Sequence, residues 1–456
     1  MKDMTTGNPN RLLLQFAVPL LAGQLLQMVY SLTDTRIVGS FLGESALAAV
    51  GATNSLNSLM IGFLMGMTNG FAIVTARYFG GGDRRGMKKS IAGTVLLSAG
   101  TVLALTIVAV AFLYPLLRLL HTPEELLGQA SSYFRVILLG MMITVFYDAC
   151  AATLRAVGDS ITPLIFLALS TVCNVVLDLL LICVFHMGVA SAAVATVCSQ
   201  GISVVMCLLF IRLRYPDLVP DRDDFMRFYH DHHVIQWMYS TGLSMGFMLS
   251  LVNLGSVVLQ SAINTFGANI IVAHTAARKL TELFMMPFSV LATTMATYCS
   301  QNLGAGKLQR IKAGIWRALL LSWIWCGIVI VIVYTIVPML IYMVTGTHVE
   351  EIIDTATLYL RINAVLYFVT VMISVLRNAL QGMGDMVTPL ISSSIELVGK
   401  VLIVMLLVPH LGYMGVIVSE PIIWCIMVVP LIIQLRFGKR FQAIWKEAKQ
   451  VSTVEI

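Results

Sequence analysis

The sequence predicts an all-α polytopic membrane protein whose twelve transmembrane helices form two pseudo-symmetric six-helix lobes. Three observations predict this fold: a composition of 58% apolar and 11% charged residues, a series of long apolar segments, and an internal repeat. Soluble proteins carry about 25% charged residues. A water-soluble enzyme is therefore excluded, and no enzymatic activity is expected.

Twelve apolar segments are long enough to cross a bilayer, which takes about 20 residues of helix. They cover residues 12–38, 46–76, 89–114, 131–154, 162–186, 188–211, 239–266, 269–299, 313–344, 356–380, 388–409 and 412–435. Their continuity excludes a transmembrane β-barrel, whose strands alternate polar and apolar residues.

The distribution of the 29 Lys and Arg residues predicts the orientation. Most of them fall in segments on one side of the membrane, and such segments are cytoplasmic. Both termini are therefore expected in the cytoplasm of a plasma-membrane protein. The span positions divide the chain into an N-terminal lobe (residues 1–211), a cytoplasmic linker (212–238), a C-terminal lobe (239–437) and a cytoplasmic tail (438–456).

The linker contains the run His230-Asp231-His232-His233, which has two interpretations. A metal site needs donors held by neighbouring hydrogen bonds in a fixed geometry. A solvated loop does not supply them, so the pattern favours a solvated loop, and no metal site is predicted.

Motifs that shape the backbone occur twice, once in each half. Residues 80–82 (Gly-Gly-Gly) align with residues 304–306 (Gly-Ala-Gly), and Gly-Asp-x-x-Thr-Pro occurs at residues 158–163 and 384–389. In the second motif, Gly ends one helix, Asp or Thr caps the next, and Pro occupies its first turn. Because an even number of spans separates the copies, the halves are parallel repeats.

Polar residues of three N-terminal spans are expected at one depth. Asp34, Asp178 and Thr196 each lie about 10 to 12 Å inside the outer end of their spans, at about 1.5 Å per helical residue. Asn174 precedes Asp178 by one helical turn and shares its face. A carboxylate in the bilayer costs about 2.5 to 3.5 kcal/mol on insertion scales, so such acids are candidates for function.

Two acids close together in a low dielectric would share a proton. The alternative is that each acid only hydrogen-bonds a neighbouring helix. In the repeat, Asp34 aligns with Val258, and Asp178 aligns with Leu402 or Val404. The acids are therefore not required by the fold, which favours a function in the first lobe.

The C-terminal lobe carries its own charges at four-residue steps: His274, Arg278 and Glu282 in the eighth span, and Glu396 and Lys400 in the eleventh. They form either a structural ion-pair network or a second site for a cation or a substrate charge. Glu420, near the start of the twelfth span, is a further candidate. Pro19 should kink the first span, either as a hinge or as a passive bend.

These motifs together resemble the multidrug and toxic compound extrusion (MATE) transporters of the MOP superfamily over essentially the full chain. The resemblance is carried by four segments: residues 34–43, residues 301–307, the doubled Gly-Asp-x-x-Thr-Pro, and Asn174-x-x-x-Asp178 followed by residues 188–196. It implies a twelve-helix antiporter that exports organic cations or amphiphiles from the cell by alternating access between two lobes.

The resemblance is nearest to the DinF-like branch, in which residues at the positions of Asp34, Asn174, Asp178 and Thr196 bind the coupling cation. NorM-type members carry another acid in the tenth helix, but residues 364–371 hold no carboxylate here. Coupling to protons is therefore expected, with sodium as the alternative, and no cofactor.

The expected partners are a small organic cation or amphiphile and the lipid bilayer, with no nucleic acid, and the chain is expected to act as a monomer. The sequence has no G-x-x-x-x-G-K-[ST] loop, which argues against an ATP-driven pump. The main alternative is a flippase for lipid-linked saccharides from the same superfamily. That function would require a strongly cationic cavity.

Overall fold

The computed structural model describes residues 3–120, 122–439, 441–442 and 445–446. It confirms an all-α membrane fold. Eleven helices are long and apolar enough to cross a membrane, and a bent helix pair makes a twelfth span. Most of the predicted cytoplasmic tail, residues 438–456, lies outside the described residues.

The first half of the chain contains seven α-helices and one π-helix. The helices are α1 (Pro9–Leu42), α2 (Glu44–Gly80), α3 (Arg84–Ala111), α4 (Leu113–Leu119), α5 (Glu124–Ala156), α6 (Ile161–Asp178) with a π-helix at Leu179–Val184, and α7 (Ala190–Arg214). The predicted third span thus ends early, because the backbone breaks at Phe112 between α3 and α4.

The second half follows a similar order with three more α-helices than the first. Its helices are α8 (Arg222–His230), α9 (His232–Ile263), α10 (Ala268–Gly304), α11 (Leu308–Thr335), α12 (Val337–Thr345), α13 (Glu350–Val365), α14 (Tyr367–Gly382), α15 (Val387–Leu406), α16 (Val408–Leu411) and α17 (Tyr413–Phe437). The predicted tenth span is the pair α13 and α14, and the chain bends by 57° between them.

Contacts divide the described chain into two compact units. The first unit contains Asp3 and residues 18–246, and the second contains residues 4–17 and the chain from residue 247 onward. These units differ from the predicted lobes, because the start of α1 belongs to the second unit and the start of α9 belongs to the first. In each unit one long helix is mostly buried, α2 in the first and α10 in the second.

The doubled Gly-Asp-x-x-Thr-Pro segment has the predicted structure in both copies. Gly158 and Gly384 have φ values of 84° and 91°, a left-handed backbone that glycine adopts without strain. Asp159 accepts hydrogen bonds from the Thr162 backbone N–H at 3.0 Å and from its hydroxyl at 2.7 Å. Asp385 makes the same pair of bonds at 3.1 and 2.7 Å. The motif is therefore a helix cap.

The predicted loop around His230 is mostly helical. Asp231 separates α8 from α9 and caps α9, since its Oδ1 accepts a hydrogen bond from the Val234 backbone N–H at 3.1 Å. Its Oδ2 accepts a bond from Lys89 Nζ on α3 at 2.6 Å. That hydrogen bond, with the cap, lowers the pKa of Asp231, so this carboxylate stays ionised and holds the linker against α3.

Two glycine pairs allow α2 and α9 to cross in close contact within the first unit. A Cβ atom on Gly70 would lie 2.7 Å from Gly242 Cα, and one on Gly66 would lie 2.6 Å from the Met245 carbonyl oxygen. Gly66 and Gly70, like Gly242 and Gly246, are four residues apart and therefore share a helix face. This is the small-xxx-small pattern by which membrane helices pack backbone to backbone.

We expect Gly70→Ala to lower the melting temperature of the purified protein, because the new methyl group would overlap the α9 backbone. Overpacking of this kind costs about 1 to 3 kcal/mol. Gly51→Ala in the same helix is the matched control, since no atom lies within 4 Å of its added Cβ. There the same change should be neutral or stabilise by up to about 1 kcal/mol. Equal melting temperatures for the two variants would contradict the close crossing.

Candidate ion-coupling site

Asp34 and Asp178, here called the aspartate pair, meet inside the first unit. Asp34 lies on α1 and Asp178 is the last residue of α6. Their carboxyl groups lie within hydrogen-bonding distance of each other. Asp178 is fully buried and Asp34 is half-buried. The sequence placed both acids at one depth, and the structure shows that they are neighbours.

The aspartate pair requires a proton. A hydrogen bond between two carboxyl groups forms only when one of them is protonated. Asp34 Oδ1 and Asp178 Oδ1 are both buried and have no ordinary hydrogen-bond donor among the described residues. Two ionised carboxylates at this distance would repel each other in a low dielectric. One proton shared between the two acids satisfies both oxygens.

Asn174 and Thr196 complete the polar cluster, as the sequence predicts. In one orientation of its amide, Asn174 donates to Thr196 Oγ1 at 3.4 Å. With the amide flipped, Nδ2 donates to Asp178 Oδ2 at 3.0 Å, and the amide oxygen accepts from the Thr196 backbone N–H at 3.2 Å. The flipped orientation is favoured, because it gives the buried carboxylate a donor and the amide oxygen a partner.

Tyr30 belongs to the same cluster, although the sequence interpretation did not include it. Its hydroxyl lies 3.1 Å from Thr196 Oγ1. Thr196 uses its own proton on the Ala192 carbonyl oxygen at 3.0 Å, so Tyr30 is the donor in this contact. Tyr30 precedes Asp34 by four residues, a spacing that places both on one face of α1 and could have identified it.

The backbone changes immediately after Asp178. Residues Leu179–Val184 form a π-helix, with bonds such as Phe185 N to the Leu180 carbonyl oxygen at 3.0 Å. The corresponding helix of the second half, α15, is α-helical through Leu406. Single π turns occur frequently at functional sites. The wide turn therefore marks the same point of the chain as the buried acid.

The second unit contains a different cluster, a row of five charged residues that we call the charged chain. Its members are Arg377, Glu396, Lys400, Glu420 and Arg278. Along this row the N–O distances are 3.6 Å from Arg377 to Glu396, 3.0 Å from Glu396 to Lys400, 4.0 Å from Lys400 to Glu420 and 2.9 Å from Glu420 to Arg278.

The structure brings most of the predicted second-lobe residues together but changes one pairing. Glu396 and Lys400 pair along α15, as their four-residue step suggests. Arg278 pairs with Glu420 on α17, and Glu282, one turn further along α10, is exposed. Arg278 thus pairs with a residue of another helix. Glu420 also accepts a hydrogen bond from Tyr359 at 2.8 Å, which holds its carboxylate beside Arg278.

His274 joins the same neighbourhood through aromatic residues. Its Nδ1 lies 3.0 Å from the Tyr413 hydroxyl, and its ring packs edge-on against Tyr359 with centroids 5.2 Å apart.

Pro19 lies inside α1, which is one continuous helix from Pro9 to Leu42. The contact-based units divide α1 between Ala17 and Val18, and a hinge at Pro19 stays a prediction.

The family model MatE matches residues 19–180 and 245–406, the two copies of the repeat. The chain belongs to the MatE family. This family is one of multidrug efflux transporters, and the chain is a multi-pass membrane protein of that class. The two matched segments correspond to the internal repeat found in the sequence.

Relatives resemble the chain in sequence, and solved structures resemble it in fold. The chain is 29% identical to the probable multidrug resistance protein YpnP of Bacillus subtilis, over 68% of each chain. It is 25% identical to the probable multidrug resistance protein NorM of Thermotoga maritima, over 84% of this chain and 82% of that protein. The fold matches a crystal structure of MATE in complex with MaL6 with a TM-score of 0.87, at 23% identity and over 97% and 99% of the two chains.

Proposed function

We propose that this MATE protein is a secondary antiporter that exports organic cations or amphiphiles in exchange for protons, by alternating access between its two lobes. The single observation that carries the proposal is the aspartate pair. Asp34 and Asp178 form an acid dyad that needs a proton to be stable, next to the polar groups of Asn174 and Thr196. Loss of that proton would leave two facing negative charges, and a cationic substrate would compensate them.

The same cluster supports proton coupling over sodium coupling. Oxygen atoms from acids, a threonine and a tyrosine could also surround a small hard cation. The hydrogen bond between the two carboxyl groups favours the proton, however, because two carboxyl groups can form such a bond only when one of them is protonated. We therefore assign the proton as the coupling ion and sodium as the alternative that the experiment tests.

We further propose that the protein belongs to the DinF-like branch and works as a monomer in the plasma membrane with both termini cytoplasmic. The position of the acids in the first half and the basic residues of the predicted inner segments support this assignment. A flippase for lipid-linked saccharides is less well supported. The acids of the first unit would repel a pyrophosphate group, and the described cavity of the second unit is lined by two basic and two acidic residues, Arg278, Lys279, Glu282 and Glu420.

The test uses purified protein in liposomes with an acidic interior and ethidium outside. We expect ethidium to accumulate inside, up to about tenfold per pH unit for one-to-one exchange, since one pH unit corresponds to about 1.4 kcal/mol. A sodium gradient without a pH gradient should produce no accumulation. Uptake driven equally well by sodium alone would overturn the assignment of the proton. Failure of both gradients to move ethidium or a second organic cation would overturn the antiport proposal.

A further inference from the structure

The second unit contains a cavity that the proposed coupling site does not use. Its volume is about 380 Å³, within the range of small-molecule pockets. It lies beside the turn between α9 and α10 and is lined by apolar side chains, including Leu259 and Ile263, and by His274 and Arg278. This combination of apolar walls and a few convergent polar groups is typical of a ligand site.

The charged chain that ends at this cavity carries an excess of positive charge. It contains three cations, Arg377, Lys400 and Arg278, and two anions, Glu396 and Glu420. Four of the five side chains are at most 10% exposed. Lys279 and Glu282 also line the cavity and together add no net charge. The buried row therefore has a net charge of +1, and an uncompensated buried charge is costly.

Arg278 is the member of the row that can receive a compensating anion. Its side chain is 30% exposed, against 6% for its partner Glu420, and it lines the cavity. Nη1 donates to Glu420 at 2.9 Å, but a guanidinium group has five N–H donors and can bind two carboxylates at once.

We infer that the cavity at Arg278 binds a small organic monoanion, whose carboxylate pairs with the guanidinium group and whose apolar body packs against Leu259 and Ile263. One negative charge would neutralise the charged chain, whereas a dianion would overcompensate it and be repelled by Glu282 and Glu420. The cavity lining contains neither residue of the aspartate pair.

The test is equilibrium binding of radiolabelled benzoate to the full-length protein in lipid nanodiscs, with benzylammonium as the cationic counterpart of the same shape. We expect saturable benzoate binding that benzylammonium does not displace. Arg278→Gln should weaken the affinity at least tenfold. Glu420→Gln should strengthen it severalfold, because it removes a competing carboxylate and leaves the guanidinium group in place. Lys312→Gln, an exposed base on α11, is the charge-matched control and should have no effect.

Opposite effects of Arg278→Gln and Glu420→Gln distinguish a ligand site from a purely structural ion pair. A structural pair would make both variants less stable without raising the affinity for benzoate in either. Melting temperatures measured on the same samples show whether each variant is folded. Lys400→Gln is a second test variant, and it should also weaken binding because it removes the excess charge. Unchanged benzoate binding in Arg278→Gln, or an equal loss in Asp34→Asn, would overturn the proposal.

Discussion

Asp34→Asn and Asp178→Asn are each expected to abolish ethidium uptake driven by a pH gradient, down to the rate of protein-free liposomes. An amide keeps the size and polarity of the side chain but cannot exchange a proton. Each variant leaves a single carboxyl group, which no longer has a neighbour that competes for its proton. The coupling between proton release and cation binding is then lost, whatever the affinity for the cation.

The variants should remain folded, because the repeat places apolar residues at the corresponding positions, Val258 for Asp34 and Leu402 or Val404 for Asp178. Glu44→Gln is the matched control, an identical chemical change at an exposed acid in the first turn of α2. It should transport at the wild-type rate. Full gradient-driven uptake in both aspartate variants, with normal melting temperatures, would show that the aspartate pair does not couple transport.

Glu396→Gln is expected to be the most destabilising single change in the charged chain. Glu396 is the anion between Arg377 and Lys400, whose side chains are 9% and 4% exposed. Without it, the row carries three cations and one anion. Removing one partner of a buried ion pair costs about 3 to 5 kcal/mol, and the melting temperature of the purified protein should fall by several degrees.

A second substitution tests whether charge causes this loss. Lys400→Met alone should be mild, because it leaves two cations and two anions in the row. Glu396→Gln leaves Arg377 and Lys400 without this partner. The double variant Glu396→Gln/Lys400→Met removes one of these two cations, so at least half of the lost stability should return. Additive losses in the double variant would instead mean that shape and packing, not the charge balance, determine stability here.

Much of the first-unit cluster could be predicted from the sequence, because helical geometry fixes depth and facing. Residue counts from the span ends placed Asp34, Asp178 and Thr196 at one level, and the four-residue step placed Asn174 on the face of Asp178. The structure confirms that these groups meet. What they do there, the coupling of transport to a proton, stays a prediction. Tyr30 was missed although its spacing from Asp34 carried the necessary signal.

The second-unit pairing could not be read from spacing within one helix. Glu282 and Glu420 were both available to Arg278, and only the packing of α17 against its neighbours decides between them. The glycine contacts could be predicted only in part: the spacing of Gly66 and Gly70 is visible in the sequence, but the helix that packs against them is not. The break at Leu366 and the π-helix after Asp178 leave no trace in the hydropathy, which stays high through both segments.

The π-helix is one place where the two copies of the repeat differ in length. From the proline of the Gly-Asp-x-x-Thr-Pro cap to the following glycine, the first copy runs from Pro163 to Gly188 and the second from Pro389 to Gly412, so the first copy is two residues longer. A wider turn holds more residues for the same rise along the axis. The π-helix directly after Asp178 takes up part of this added length, so the two copies differ in backbone and in chemistry at the same place.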